Sequence, residues 1–444
     1  MKLNTPQYDP SIAVFSEDES GVITVLNLFF VLVMAIIGGI AIDVSSLIQA
    51  RTQLQVAADT AAHAALYTRD SEDKFVAKQE ALDIASAMMP TGRYGNVLRT
   101  ENIHFGTYDR VTKQFNIDED RREAVYVKTD RLSENANPVT SFLLQLVGFS
   151  EWDVVTTSVF ETYRPSCLRE GFVAEDIVDL QSNNGFLNGF CIHSNTHVSA
   201  NQNNLFEAGT IVSMPNMSDL DIASSGFESN EGLEAALREG RIRLRIFARL
   251  KQIEAGMTNE NSRYYRTFIT NDTPLLIDLT ANNNVLKMSD LTSGRVHKLN
   301  CTKPNGSITM DGEIFSDIVI ITNCPVKMSA STAIEQATVI TTDDSASSYS
   351  APSGLRLGKD DNCADGGGAQ LLTYGGISNA AKVEMYGSQI VAVGSVNFAA
   401  ANDGIEGASI ISANQINVTS GSSMAFCGKG MDSIFEAEYF RMAG

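Results

Sequence analysis

Residues 390–398 read IVAVGSVNF, and residues 410–418 read IISANQINV. Laid over each other at an offset of 20 residues, Ile390 falls on Ile410, Val391 on Ile411, Val396 on Ile416, Asn397 on Asn417 and Phe398 on Val418. The same offset extends back along the chain. In DIVIITN (317–323) and ATVITTD (337–343), Val319 falls on Val339, Ile320 on Ile340 and Thr322 on Thr342, while Ile308 and Ile314 fall on Met328 and Ile334. A period of this length, holding two or three short alternating runs, predicts a right-handed parallel β-helix over 166–444. One coil cannot bury its inner face alone, so neighbours stack. The pattern places Ile, Val and Ala inward and Ser, Thr, Asn and Asp outward. An antiparallel sandwich accounts for the alternation equally well, but not for the fixed offset.

The six cysteines test the repeat independently. Cys167 and Cys191 are 24 residues apart and Cys301 and Cys324 are 23 apart, each close to one coil with a small loop. Stacked strands lie about 4.8 Å apart, within the roughly 4.4–6.8 Å between Cα atoms that a disulfide spans. Cys363 and Cys427 would then pair by elimination, although six cysteines allow many pairings and the sequence does not choose among them. Such bridges imply an oxidising compartment. No C-x-x-C pair is present, so zinc and dithiol redox chemistry lack support.

Outward toward the N-terminus the composition changes. With 444 residues the chain has room for two or three compact units, and a net charge of −20 argues against nucleic acid as a partner. Residues 22–42 are 21 uncharged residues, VITVLNLFFVLVMAIIGGIAI. At about 1.5 Å per residue they cross roughly 30 Å, one hydrocarbon core. A cleaved signal would be shorter and preceded by basic residues, whereas Glu17, Asp18 and Glu19 precede this run. Only Lys2 lies on one side, and Arg51, Arg69, Lys74 and Lys78 lie on the other. Counted simply, the positive-inside rule puts the second flank in the cytoplasm, against the cysteines.

Beyond the span, residues 43–89 lack Gly and Pro and predict a continuous helix to Met89. Leu47, Leu54 and Ala61, with Ala50, Ala57 and Ala64, form a narrow seam of small residues. The seam would pack either on the downstream domain or on a partner helix, including one from a second copy. Residues 103–108 and 124–128 alternate like strands, 141–147 read as a short apolar helix, and 152–160 as another strand. The expected order is a cytoplasmic tail (1–21), a transmembrane helix (22–42), a helical stalk (43–90), a small α/β unit (91–165) and the β-helix (166–444).

The run SGVITVLNLFFVLVMAIIGGIAID followed by ARTQLQVAADTAAHAAL resembles the N-terminal segment of the TadE/TadG-like proteins of Tad (Flp) pilus assembly. Gly21, Asp43, Arg51, Leu54, Gln55, Ala57, Ala58, Asp59, Ala61, Ala62, Ala64 and Ala65 carry it, and 103–165 also looks TadG-like. The resemblance implies a single-pass protein of a bacterial inner membrane, its C-terminal part periplasmic, with other pilus-assembly membrane proteins as partners. Pilin-like members have Glu at the fifth place after the cleavage Gly. Leu26 stands there, which argues against processing into a fibre. Many TadG-like proteins carry a D-x-S-x-S metal motif; its literal match, Asp343, Ser345 and Ser347, precedes no helical pattern.

No set of residues announces catalysis, and neither a cofactor nor a metal is expected. GKDDNCADGGG (358–368) reads as a turn, without the regular spacing of a calcium loop. His193 and His197, four apart, would share a strand face but need a third ligand. Asp311, Asp317, Asp343 and Asp344, with Arg295 and Arg356, form no recognisable acid–base set. The expectation is a non-enzymatic assembly component. The competing reading is a membrane-tethered adhesin or lyase that binds or cleaves polysaccharide.

Overall fold

The computed structural model describes residues 20–279, 284–301, 306–362, 364–400, 404–428 and 434–443. The chain forms two compact units. One comprises residues up to Tyr163 together with Tyr439 onward, and the other is Arg164–Glu438.

The first unit is built on a helix of 50 residues, Ser20–Arg69. Its first half exposes apolar side chains such as Ile23, Phe29, Met34 and Ile42. Its second half turns one face inward, with Leu54, Ala57, Ala58, Ala61, Ala62 and Ala65 fully buried. The expected continuation to Met89 is broken at the polar run 69–73. Asp73 there accepts hydrogen bonds from the N–H groups of Phe75 (2.7 Å) and Val76 (3.1 Å) and starts a second helix, Lys74–Met88. That helix presents Ala77, Ala81 and Ala85, spaced one turn apart, to Ala61, Ala62 and Ala65. The small-residue seam therefore packs within its own unit, the first of the two alternatives, and the expected continuous helix to Met89 is corrected to a helical hairpin lying on a sheet.

That sheet is antiparallel, in the order Gln114–Ile117, Ile103–Asp109, Ala124–Arg131, Val154–Tyr163, Tyr439–Met442. The expected helix at 141–147 is only a 3-10 turn, Leu144–Val147. The last strand was not expected. Tyr439–Met442 leaves the β-helix and pairs with Val154–Tyr163, joining Tyr439 to Tyr163.

The second unit is a parallel β-helix. Among the described residues its three sheets hold 11, 10 and 9 strands, every pairing parallel. The offset of 20 holds where the sequence shows it best: Ile390 pairs with Ile410, Val396 with Ile416 and Phe398 with Val418. It fails earlier in the chain. Val319 pairs with Thr338, Ile320 with Val339 and Thr322 with Thr341, so the period there is one residue shorter. Ile314 pairs with Ala333, also one residue short of that period, and Ile308 with Val326, two short of it. The corners absorb the difference. Asp317, Ser331 and Gln336 take positive φ at the bends, so a coil shortens without disturbing its strands.

The coils do not stack in chain order. The 11-stranded sheet begins with the strands at 237–239, 211–214, 191–194 and 171–174. Its next neighbour is the strand at 409–412, followed by those at 389–392, 369–373, 337–341, 318–322, 295–299 and 271–277. The first coil thus lies on the last, with Phe172 paired to Ile410, Val178 to Ile416 and Phe186 to Met424. The β-helix therefore starts and finishes in its middle, and both of its ends are made of internal coils.

Those ends carry short or interrupted strands, Asp221–Ile222 and Leu237–Glu239 at one and Asn271–Ile277, with Pro274, at the other. Charge and Pro on an edge discourage further strands from adding.

The connection from one end to the other runs through residues 240–270. Leu244, Ile246, Leu250, Ile253 and Met257 pack on Val173, Val296, Val319, Ile340, Leu372, Val391 and Ile411, which point outward from the 11-stranded sheet. The polar outward row read from the sequence is thus corrected for this sheet, which is buried on both faces. The 10-stranded sheet keeps a polar outward row, Ser350, Ser378, Asn397, Asn417, Asp179 and Ser199.

Inside, an asparagine ladder runs along one corner. Asn204 Oδ1 accepts from the Asn184 N–H (2.9 Å), Asn230 Oδ1 from the Asn204 N–H (3.1 Å), and Asn184 Oδ1 from the Ser422 N–H (2.9 Å) across the first–last junction. These asparagines are buried, so they too depart from the outward assignment.

Candidate interaction surfaces

The TadE/G-type residues form two layers on the long helix. Leu54, Ala58, Ala61 and Ala65 are core, and the Leu54 carbonyl accepts the buried Thr129 hydroxyl at 3.1 Å. Gln55 donates to Asp59 (2.8 Å) one turn on and to the Thr157 carbonyl (3.0 Å), tying helix to sheet. Arg51 is exposed, and Gly21 lies in the helix's first turn.

Asp43 does something different. Although it stands at the end of the apolar run, it is only 2% exposed, because its carboxylate is spent on another element. Oδ1 accepts from the Phe142 N–H at 2.6 Å, and Oδ2 accepts from those of Leu143 (3.0 Å) and Leu144 (2.6 Å). These are N–H groups at the start of the Leu144–Val147 turn, which have no partner within that turn. Burial works against the Asp43 charge, but the three N–H groups outweigh it and hold the carboxyl below its usual range. One turn earlier, Gly39 is buried beneath the same segment, where an added Cβ would come within 3.1 Å of Leu143. The segment itself exposes Phe142, Leu143, Leu146 and Phe149, with Leu146 81% exposed.

Three of the four basic residues that bear on orientation are engaged in the fold. Lys74 pairs with Asp120 (2.9 Å), Lys78 with Glu119 (3.0 Å), and Arg69 is buried and donates to the Glu72 carbonyl (3.0 Å). Beside the second helix lies an open groove of ≈ 480 Å³, lined by Leu82, Ser86, Val97 and Arg99. Arg99 is held there by Asp130 at 2.6 Å.

In the β-helix, two disulfides join adjacent coils, Cys167–Cys191 and Cys301–Cys324, with Cα separations of 4.9 and 5.5 Å. Cys427 is also disulfide-bonded, and Cys363 lies outside the described residues. A tail, 434–438, closes on the covering segment. Buried Gln389 donates to the Phe435 carbonyl (2.9 Å) and accepts the Phe435 N–H (2.7 Å). Arg266 stacks on the Phe435 ring at 4.1 Å, and Glu438 pairs with Arg263 at 2.6 Å.

The residues singled out for chemistry do not converge. His193 and His197 sit on opposite sides of a bend, not on one strand face. His193 is buried, its Nδ1 2.7 Å from the Ser213 hydroxyl and its Nε2 3.0 Å from Asn195 Oδ1, and burial pulls its pKa down. Asp343 accepts the Ser345 N–H (3.1 Å) in a turn, and Asp361 accepts the Ala364 N–H (3.0 Å) in another. Arg356 pairs with Glu335 (2.6 Å), Asp311 with Lys287 (3.6 Å), and Arg295 donates to the Thr273 carbonyl (2.8 Å). Among the described residues no three His, Cys, Asp or Glu side chains are grouped to hold a metal ion.

What sequence reading missed was the pairing of Asp43 with 142–144 and the covering segment 240–270. The first joins residues about a hundred positions apart and leaves no local signal. The second was legible in principle, since continuous apolar runs such as IVIIT mark strands buried on both faces.

Residues 171–428 match the model of a family described as "Domain of unknown function (DUF7867)", which covers more than half of the chain. Residues 21–77 match that of a family described as "Putative Flp pilus-assembly TadE/G-like". No curated protein and no solved structure matches the chain. The chain belongs to the DUF7867 family through its β-helix and joins that domain to a TadE/G-like helical segment.

Proposed function

We propose that this protein is a structural, non-catalytic component of Tad (Flp) pilus assembly. It is held in a bacterial inner membrane by residues 22–42 and carries both folded units on the periplasmic side. The observation that carries the reading is the TadE/G-like match over 21–77, which includes the apolar helix and the Ala-rich packing face.

Two observations support the orientation. The disulfides suit an oxidising compartment. The basic residues that favoured the opposite direction are mostly far from the span. The rule counts charges within about 15–20 residues of it, and long domains cross largely regardless of charge. By that count only Arg51 remains on the second flank.

The role is mechanical. The long helix anchors, and the polar outward row of the 10-stranded sheet offers a docking face for other pilus-assembly membrane proteins. The engagement of His193, Asp311, Asp343 and Asp361 in hydrogen bonds, turns and an ion pair supports a role without catalysis. Deleting the gene and imaging the cells tests the proposal. Loss of Flp pili and of surface attachment, restored by the full chain, is the expected result; a deletion strain with normal pili and attachment would refute it.

A further inference from the structure

We infer that the segment 141–149 is a second membrane contact: a short apolar loop, pinned to the anchor helix by Asp43, that inserts into the lipid interface beside it. The inference rests on the reading of 22–42 as a membrane span.

Between Asn137 and Glu151 the chain carries no charged side chain. Four of its large apolar side chains, Phe142, Leu143, Leu146 and Phe149, are exposed instead of folded into the unit's core. Exposed apolar residues in a contiguous group mark a partner surface. The position of the group identifies that partner as lipid. Asp43 binds the backbone of Phe142, Leu143 and Leu144, which fixes the loop at the end of the apolar run. Gly39, one turn inside that run, lies so close to Leu143 that an added Cβ would come within 3.1 Å of its side chain. The loop therefore begins at the edge of the hydrocarbon layer and overlaps it by about one helical turn, roughly 5 Å. A bilayer that surrounds Ile36, Ile37 and Ile40 reaches Leu143 and its exposed neighbours as well.

Burying Asp43 under the loop also answers a problem of the anchor. A bare carboxylate at that depth would face lipid, whereas here three N–H groups satisfy it. The loop and the helix thus supply each other's missing partners: the helix caps the turn, and the turn covers Gly39 and Asp43. Two points of contact hinder rotation of the first unit about the helix axis.

The test places tryptophans in the full chain, in a Trp152→Phe background that removes the single native one. The protein is reconstituted in phosphatidylcholine vesicles whose acyl chains are brominated at a chosen depth. Leu146→Trp reports on the loop, Leu32→Trp on the middle of the span, and Val111→Trp, 92% exposed at a hairpin tip, on water. Phe149→Trp repeats the loop measurement should Leu146→Trp not fold.

The expected result is that the loop tryptophan emits at shorter wavelength than Val111→Trp. It should be quenched by bromines about 5–10 Å below the headgroup boundary, while Leu32→Trp is quenched by deeper ones. A loop tryptophan that behaves like Val111→Trp while Leu32→Trp is quenched overturns the inference and leaves the anchor standing. Failure of Leu32→Trp to be quenched overturns the span, and the inference with it.

Discussion

Asp43 shows how far a single position can be read. Its place after the apolar run and its match to the TadE/G-like pattern single it out, yet its work is done on backbone N–H groups of residues 142–144. No local pattern encodes that pairing. Replacing Asp43→Ala should leave those amides without their acceptor. Their hydrogen exchange should accelerate while the core amides of the Ala124–Arg131 strand stay protected; unchanged exchange at Phe142–Leu144 would refute the cap. His193 carries a pH signature. Burial lowers its folded pKa, so the unfolded chain binds the proton more readily. Its contribution is complete above the unfolded value, about 6.5, and drains away as pH falls through the window below it. Urea titrations should therefore show the protein losing stability relative to a His193→Gln variant as pH falls from about 7 to about 5. A constant difference would mean that His193 titrates normally.

At the scale of elements, the repeat was legible where two coils have the same corners and misleading where they do not. The 390–398 and 410–418 coils align by eye, but the strands 318–322 and 337–341 are one residue closer than that period. A one-residue slip exchanges the two faces of a strand. Composition does not reveal the slip, because the run Ile318–Thr322 is buried on both faces. The covering segment explains why, and it gives a clear expectation for Ile340. Read at a fixed offset of 20, this residue stacks on inward Ile320, yet it points outward and is buried beneath residues 240–270. Ile340→Ala should cost about 2–5 kcal/mol, as at a core position, and should expose 240–270 to limited proteolysis. A cost within about 0.5 kcal/mol, typical of a surface site, would contradict the covered face. The end of the first helix at Arg69 likewise escapes composition. Absence of Gly and Pro does not guarantee continuity when an Asp can cap a new helix, as Asp73 does.

At the scale of the whole molecule, the sequence showed a stack of coils but not their order. Periodicity reports that neighbours repeat, and it is silent on whether the first coil meets the last. Asp179 and Asn417, 238 residues apart, face each other in register on the outward row of the 10-stranded sheet. A chain carrying Asp179→Cys with Asn417→Cys should form that disulfide, seen as a linked peptide by mass spectrometry. Its absence under oxidising conditions would argue for stacking in chain order. The closed order also fits the chain's path, since the β-helix unit runs from Arg164 to Glu438 and the strands that flank it in sequence pair through Tyr163 and Tyr439. The central claim is that this disulfide-stapled β-helix is carried outside the cytoplasm by one N-terminal anchor. It is tested most directly by trapping free thiols in intact, then permeabilised, cells before mapping the cysteines. The account predicts that Cys167, Cys191, Cys301 and Cys324 escape labelling until a reductant is added and are recovered as the pairs 167–191 and 301–324. Labelling of these four without reductant, only after the inner membrane is opened, would place the domain in the cytoplasm and contradict it.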